Sequence, residues 1–306
     1  MDILIILILV ALLIGVMFLM CSVIAKIIVF GRRQTLEESW EWQMLNAPGT
    51  RHFKKEDFEN YTVTGYGGVL LHASVLYAKK NKNRWIIMAH GYTDTRYGML
   101  KYIQFFHKLD FHCVVYDERG HGENAPCPCS FGIREAKDLM AVIEDLHQRK
   151  GDRIRLGLLG ESLGGATVLT ALQYKPRVDF VVDDCGFADI IPILKAGLRR
   201  SRVPSFLVYP ASRMAKHKYG ESFTAARPVD HVRGNTIPLL IFHGADDNFI
   251  PCEHSQMVRE ATKGYAELHL IPEAGHAGSA IKAPDQYLEI LRNFLKNPEG
   301  GDCGDI

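Results

Sequence analysis

The sequence predicts an α/β fold, a mostly parallel central sheet covered by helices on both faces and led by a transmembrane helix. Three observations predict it. Short β-branched, apolar runs alternate with longer stretches of helical spacing, and strands buried on both faces of a parallel sheet read as such continuous apolar runs. The N-terminus holds an uncharged apolar run long enough to cross a bilayer. The composition is that of a folded protein: 306 residues, 47% hydrophobic, 23% charged, formal net charge +1. The charge balance excludes nucleic-acid binding through a broad basic face, and the composition excludes disorder of the whole chain. Seven cysteines, an odd number in so long a chain, exclude a small disulfide-stapled scaffold and point to free thiols in a reducing compartment.

The first element is a membrane anchor, residues 1–30. The 23 residues of 3–25 carry no charge, and Ser22 is their only hydroxyl or amide side chain. At ~1.5 Å rise per residue they reach ~35 Å, more than the ~30 Å hydrocarbon core. A secretory signal would have a basic start, an apolar stretch of ~7–15 residues and small residues before the cut. Here Asp2 is the only charged side chain before the run, the run is longer, and Met20 rather than a small residue precedes Cys21. The remaining alternative is a buried core helix. Lys26, Arg32 and Arg33 follow the span and no basic side chain precedes it. The positive-inside bias then makes this a single-pass protein of the cell membrane with its C-terminal domain in the cytoplasm.

Residues 31–58 are polar with mixed signals and read as a juxtamembrane helix and linker. The α/β domain occupies 59–298. It opens with a hairpin, 61–64 and 69–78, joined through Gly65, Gly67 and Gly68. Strands follow at 85–89, 113–116, 154–159, 180–182, 239–242 and 268–271. A helix is predicted over 133–149, where Ile133, Ala136, Leu139, Ile143 and Leu146 recur at helical spacing. More than fifty residues separate the runs ending at 182 and starting at 239, and they include Pro192, Pro204, Pro210 and Pro228. That is too long for a plain connection, so about 187–236 is expected to form a helical cap over the sheet's C-terminal edge. The Gly- and Asp-rich tail, 299–306, is expected to be disordered.

The chemistry gathers at three strand ends. Gly160-Glu161-Ser162-Leu163-Gly164 follows the strand 154–159 and precedes the helical run 166–174. This is G-x-S-x-G in strand–turn–helix context, where a sharp turn leaves almost no room for flanking side chains and holds the serine exposed. A serine hydroxyl is a weak nucleophile that needs a base, and the base needs an orienting acid. On such a fold the order is serine, acid, histidine. Downstream, the strand 239–242 ends in His243-Gly244-Ala245-Asp246-Asp247, and the strand 268–271 ends in Pro272-Glu273-Ala274-Gly275-His276. Both stand just past a strand's C-terminal end, where open α/β sheets bind ligands. Among thirteen histidines only His276 has this order and position. Either Asp246 or Asp247 fits the acid's loop. The residue after the nucleophile, Leu163, supplies one oxyanion-hole N–H.

Together with His90-Gly91-Tyr92, Asp117-Glu118-Arg119-Gly120-His121-Gly122 and Gly244–Pro251, these motifs resemble the α/β-hydrolase superfamily over roughly residues 60–296. Within it the chain is similar to bacterial serine aminopeptidase-like and bile-acid-acyltransferase-like hydrolases. The resemblance implies an α/β-hydrolase fold and a Ser162–Asp247–His276 triad. The family's G-x-x-D-x-x-V/I-P pattern falls on Gly244, Asp247, Ile250 and Pro251, which selects Asp247. It implies that the Tyr92 N–H completes the oxyanion hole with Leu163. His90 and His121 fall on scaffold turns. The nucleophile is serine where acyltransferase-like members carry cysteine, which weakens any acyl-CoA reading.

No P-loop, HExxH or dinucleotide fingerprint occurs in its proper context. Cys127-Pro128-Cys129 lacks the second pair that a zinc site needs. No metal or organic cofactor is implied. The reading is a membrane-anchored serine hydrolase cleaving carboxylic esters, small or lipid-like. The alternatives are amide, peptide or thioester hydrolysis on the same triad, or a membrane-tethered binding module with an idle triad. Nucleic acid is not an expected partner.

Overall fold

A computed structural model describes residues 3–80 and 83–297. The tail expected to be disordered, 299–306, lies outside the described residues. Eight strands form one sheet: β1 (Glu59–Thr64), β2 (Leu70–Leu76), β3 (Arg84–Ala89), β4 (His112–Tyr116), β5 (Arg155–Glu161), β6 (Phe180–Asp184), β7 (Leu239–Gly244) and β8 (Ala266–Ile271). Their order is β1-β2-β4-β3-β5-β6-β7-β8. The β1–β2 and β2–β4 pairs are antiparallel and the rest parallel. The helices are α1 (Ile3–Phe30), α2 (Leu36–Asn46), α3 (Leu100–Lys108), α4 (Ile133–Lys150), α5 (Leu163–Ala171), α6 (Ile190–Arg200), α7 (Val208–Tyr219), α8 (Pro228–His231), α9 (Glu253–Ala261), α10 (Ser279–Lys282) and α11 (Pro284–Lys296).

Alternate side chains of the central strands enter opposite layers. In β3, Ile86 and Met88 join the layer formed with α3 and α11. Trp85, Ile87 and Ala89 join the layer formed with α4, α5, α8 and α9. β5 and β6 run two residues beyond their apolar cores, because the ladder still pairs Gly160 with Asp183 and Glu161 with Asp184. Strand pairing, not hydrophobicity, therefore carries the chain right up to Ser162. The segment between β6 and β7 is helical, with α6, α7 and α8 joined by short 3-10 turns.

The glycine-rich motif at 117–122 is a buried electrostatic knot. Asp117 accepts from the Arg96 and Glu123 N–H groups at 2.8 and 3.0 Å and pairs with the Arg96 guanidinium. Arg119 grips Asp138 through two bonds of 2.6 and 2.7 Å, with side chains only 4% and 0% exposed. Burial pushes the Asp138 carboxyl up, against the pull of Arg119.

Residues 31–58 are more than a spacer. Thr35 caps α2, accepting the Glu38 N–H at 3.1 Å while Glu38 accepts the Thr35 N–H at 2.8 Å. Leu36, Trp40 and Met44 then pack on the α3–α11 layer. The same segment grips the loop after β3: Gln34 N–H reaches the Thr93 carbonyl (2.8 Å), Ser39 Oγ reaches Asp94 (2.5 Å), and Gln43 donates to the Gly98 carbonyl (3.0 Å).

Helix α1 is continuous over 28 residues. Side chains at 3–16 are exposed, whereas Cys21, Ile24, Ala25 and Val29 are buried in a third apolar cluster with α6 and α7.

Candidate active site

Ser162 sits between the last residue of β5 and the first of α5, with φ +54° and ψ −108°. A non-glycine residue adopts so unusual a backbone only where its surroundings enforce it. The flanking glycines supply the enforcement. A Cβ on Gly164 would lie 1.9 Å from the Ala89 carbonyl oxygen, and one on Gly160 would lie 2.1 Å from the Gly164 carbonyl oxygen. The turn is closed by the Ser162 N–H donating to the Asp184 carbonyl at 2.9 Å. Glu161 points inward, accepting from Tyr102 Oη at 2.8 Å and pairing with buried Lys101 at 2.5 Å.

The loops after β7 and β8 bring the other two candidates to this turn. Ser162 Oγ donates to His276 Nε2 at 3.0 Å, and His276 Nδ1 donates to Asp247 Oδ2 at 2.7 Å. Asp247 Oδ1 accepts the Phe249 and Ile250 N–H groups at 2.8 and 2.9 Å. Asp246, its neighbour, is exposed. Burial pulls the Asp247 carboxyl up, but hydrogen bonds from His243, His276 and the Ile250 N–H outweigh it and hold it well below the usual carboxylate range. Asp247 is thus a fixed negative charge, shaped to keep one imidazole tautomer.

His243 lies 3.3 Å from Asp247 Oδ2, donates to the Ile250 carbonyl at 2.8 Å and meets Ser255 Oγ at 2.6 Å. It fixes the acid's loop from behind. Sequence reasoning gave His243 no role at the site, because the contacts that tie it to Asp247 and Ser255 form only in the folded loop. His90 and His121 belong to the turns around the site. His90 Nε2 accepts the Glu118 N–H at 2.9 Å, and His90 packs edge-on to His121 at 5.1 Å between ring centres.

Leu163 and Tyr92 approach the same space from α5 and from the loop after β3, and no acceptor among the described residues takes either N–H. The Tyr92 side chain adds something no sequence signal announces. Its hydroxyl donates to the Ile28 carbonyl of α1 at 2.6 Å and accepts the Gly31 N–H at 3.0 Å. Arg33 stacks over its ring at 4.4 Å. Ser162 forms part of the wall of an apolar cavity of about 210 Å³, lined by Ile27, Ile28, Phe131, Phe187, Ile193 and Phe249 among others. The end of the N-terminal helix is thus part of the cavity wall.

Cys185 comes within 4.8 Å of the Asp247 and His276 donor atoms. Those two are already bonded to each other and, through His276, to Ser162. Cys127 and Cys129 are both free thiols.

A mostly parallel sheet of eight strands, with its serine on a strand–turn–helix bend at the C-terminal edge, defines an α/β hydrolase. The chain belongs to the Alpha/beta hydrolase family, whose profile matches residues 86–290. It is 30% identical over 216 residues to the uncharacterized protein YqkD of Bacillus subtilis, covering 69% of this chain and 71% of that one. It is 26% identical to the uncharacterized protein YfhR of Escherichia coli K12, covering 69% of each. Among solved structures it is similar to the Pyrococcus furiosus esterase Pf2001, with TM-score 0.67, 20% identity, and coverage of 80% of this chain and 94% of that one. It is also similar to an esterase from Exiguobacterium antarcticum, with TM-score 0.58, 17% identity, and coverage of 78% and 100%. At these identities the structural likeness establishes the fold.

Proposed function

We propose that this protein is a membrane-anchored serine hydrolase that cleaves carboxylic esters. The observation that carries the proposal is the unbroken chain Asp247–His276–Ser162 opening into an apolar cavity. Ser162 Oγ attacks the ester carbonyl as His276 Nε2 takes its proton. Asp247 stabilises the imidazolium so formed, and the Leu163 and Tyr92 N–H groups receive the oxyanion. His276 then protonates the leaving alcohol, and a water activated by the same imidazole hydrolyses the acyl-enzyme. The lining favours an apolar acyl group over a charged aminoacyl one, which places ester cleavage ahead of the peptidase reading. The solved structures of similar fold that are named esterases agree with it.

The anchor reading rests on the exposed apolar side chains at 3–16 and on how the rest of α1 is used. Loss of α1 as a whole would take Ile27 and Ile28 out of the cavity wall and leave the Tyr92 hydroxyl without the Ile28 carbonyl. Lys26, Arg32 and Arg33 favour a cytoplasmic catalytic domain.

The test is labelling of the detergent-solubilised full chain with a fluorophosphonate. Wild type is expected to label, and Ser162→Ala to lose the label. A folded wild type that stays unlabelled would establish the binding-module alternative instead. Tyr92→Phe keeps the ring but removes the bonds to Ile28 of α1 and to Gly31 just after it. It is expected to lower kcat for a p-nitrophenyl ester roughly tenfold with little change in KM, less than the ~10²–10³ typical of deleting an oxyanion donor outright. An unchanged kcat would show that the α1 contact does not position the loop.

A further inference from the structure

The helical segment between β6 and β7 carries a charge asymmetry that ester chemistry does not use. Residues 190–220 contain seven lysines and arginines and no aspartate or glutamate, in a chain of formal charge +1. Arg199, Arg200, Arg202, Arg213, Lys216 and Lys218 are exposed. None of the seven has a carboxylate at ion-pair distance among the described residues. Beside these cations, Phe206 and Tyr209 stand 59% and 47% exposed at the junction of α6 and α7.

Position gives the asymmetry its meaning. Helix α7 packs along the end of α1: Lys218 Nζ donates to Ser22 Oγ at 2.5 Å and stands 5.8 Å from the Phe18 ring centre. A hydrocarbon core of ~30 Å takes up ~20 helical residues, so a span starting at Ile3 leaves the bilayer near Ser22. Lys218 therefore lies where the headgroups begin. Exposed cations with exposed aromatic rings, carried on the same helical segment as Lys218, are what an anionic leaflet attracts.

We infer that the α6–α7 face of the cap lies on the membrane surface and binds anionic phospholipid headgroups of the leaflet through which α1 emerges. The inference rests on the anchor reading above. The docked cap holds the cavity wall formed by Ile27 and Ile28 at headgroup depth, so an acyl ester passes from the leaflet to Ser162 without crossing bulk water.

The experiment uses the full chain in nanodiscs of phosphatidylcholine alone or of phosphatidylcholine and phosphatidylglycerol at three to one, and reads amide hydrogen exchange over 195–218. At low salt, exchange is expected to be about fivefold slower in the anionic discs. The difference is expected to vanish at high salt, where the screening length falls to ~3 Å, and in a variant carrying R199Q, R202Q, R213Q, K216Q and K218Q. That variant should still label at Ser162, which shows that it is folded. Equal exchange in both discs, or slowing that ignores salt, overturns the inference while leaving the anchor intact. Equal slowing in neutral discs by soluble glycerol phosphate overturns it in favour of a free-phosphate site. Failure of the chain to co-elute with discs overturns the anchor reading, and this inference with it.

Discussion

His276→Ala is expected to lower kcat on a p-nitrophenyl ester by roughly 10⁶-fold, and the double variant with Ser162→Ala to be no worse. Serine and histidine act as one unit in such triads, so removing either costs about as much as removing both. Here Ser162 and His276 are joined by a bond of 3.0 Å, and His276 and Asp247 by one of 2.7 Å. Asp247→Asn is expected to cost roughly 10⁴-fold, because the amide leaves the geometry but favours the wrong tautomer. The bonds around the carboxylate make that variant a clean probe. Oδ1 accepts two backbone N–H groups and Oδ2 faces His276 and His243, so an amide nitrogen at either position meets a donor. Single-turnover kinetics on detergent-solubilised protein separates chemistry from product release. A His276→Ala enzyme within tenfold of wild type would remove the triad from the mechanism.

Arg119→Met carries the largest expected loss of stability. Its guanidinium is the partner of a carboxylate with no exposed side-chain surface, and methionine keeps the volume while removing the charge. Breaking one side of a buried pair typically costs ~3–5 kcal/mol, since the survivor stays buried and uncompensated. For a domain of this size that is a fall in Tm of roughly 10 °C. The pH dependence has a definite sign. Burial already raises the Asp138 carboxyl, and losing Arg119 raises it further. A raised carboxyl destabilises the fold where it must be charged, and the cost is relieved as pH falls through the folded value. The deficit of the variant is therefore expected to narrow in acid. Thermal melts of both proteins across a pH series check this, and a deficit that widens in acid contradicts it.

The parallel strands were legible because they are short apolar runs separated by longer helical stretches, and β1 and β2 because glycines mark the turn between them. The turn at Ser162 was legible because its glycines are required by contacts with backbone atoms, and only glycine meets that requirement. The loop 244–251 pointed to Asp247 through the family pattern. Composition could not separate it from Asp246, whereas the fold buries one and exposes the other. Residues 31–58 gave no clear signal, because α2 is held by partners some fifty-five residues away, Asp94 and Gly98. Such pairings leave no periodic trace.

The sequence by itself determined an apolar span, an alternating α/β domain and the residue types of a nucleophile, an acid and a base at successive strand ends. Those follow from local rules: hydropathy sets the span, side-chain period the elements, and steric exclusion the glycines. Only the tertiary structure decided that the last turns of α1 pack on the domain, wall the cavity with Ile27 and Ile28, and are held by the hydroxyl of Tyr92. Isoleucine reads the same whether it faces acyl chains or a binding site, and packing alone distinguishes the two.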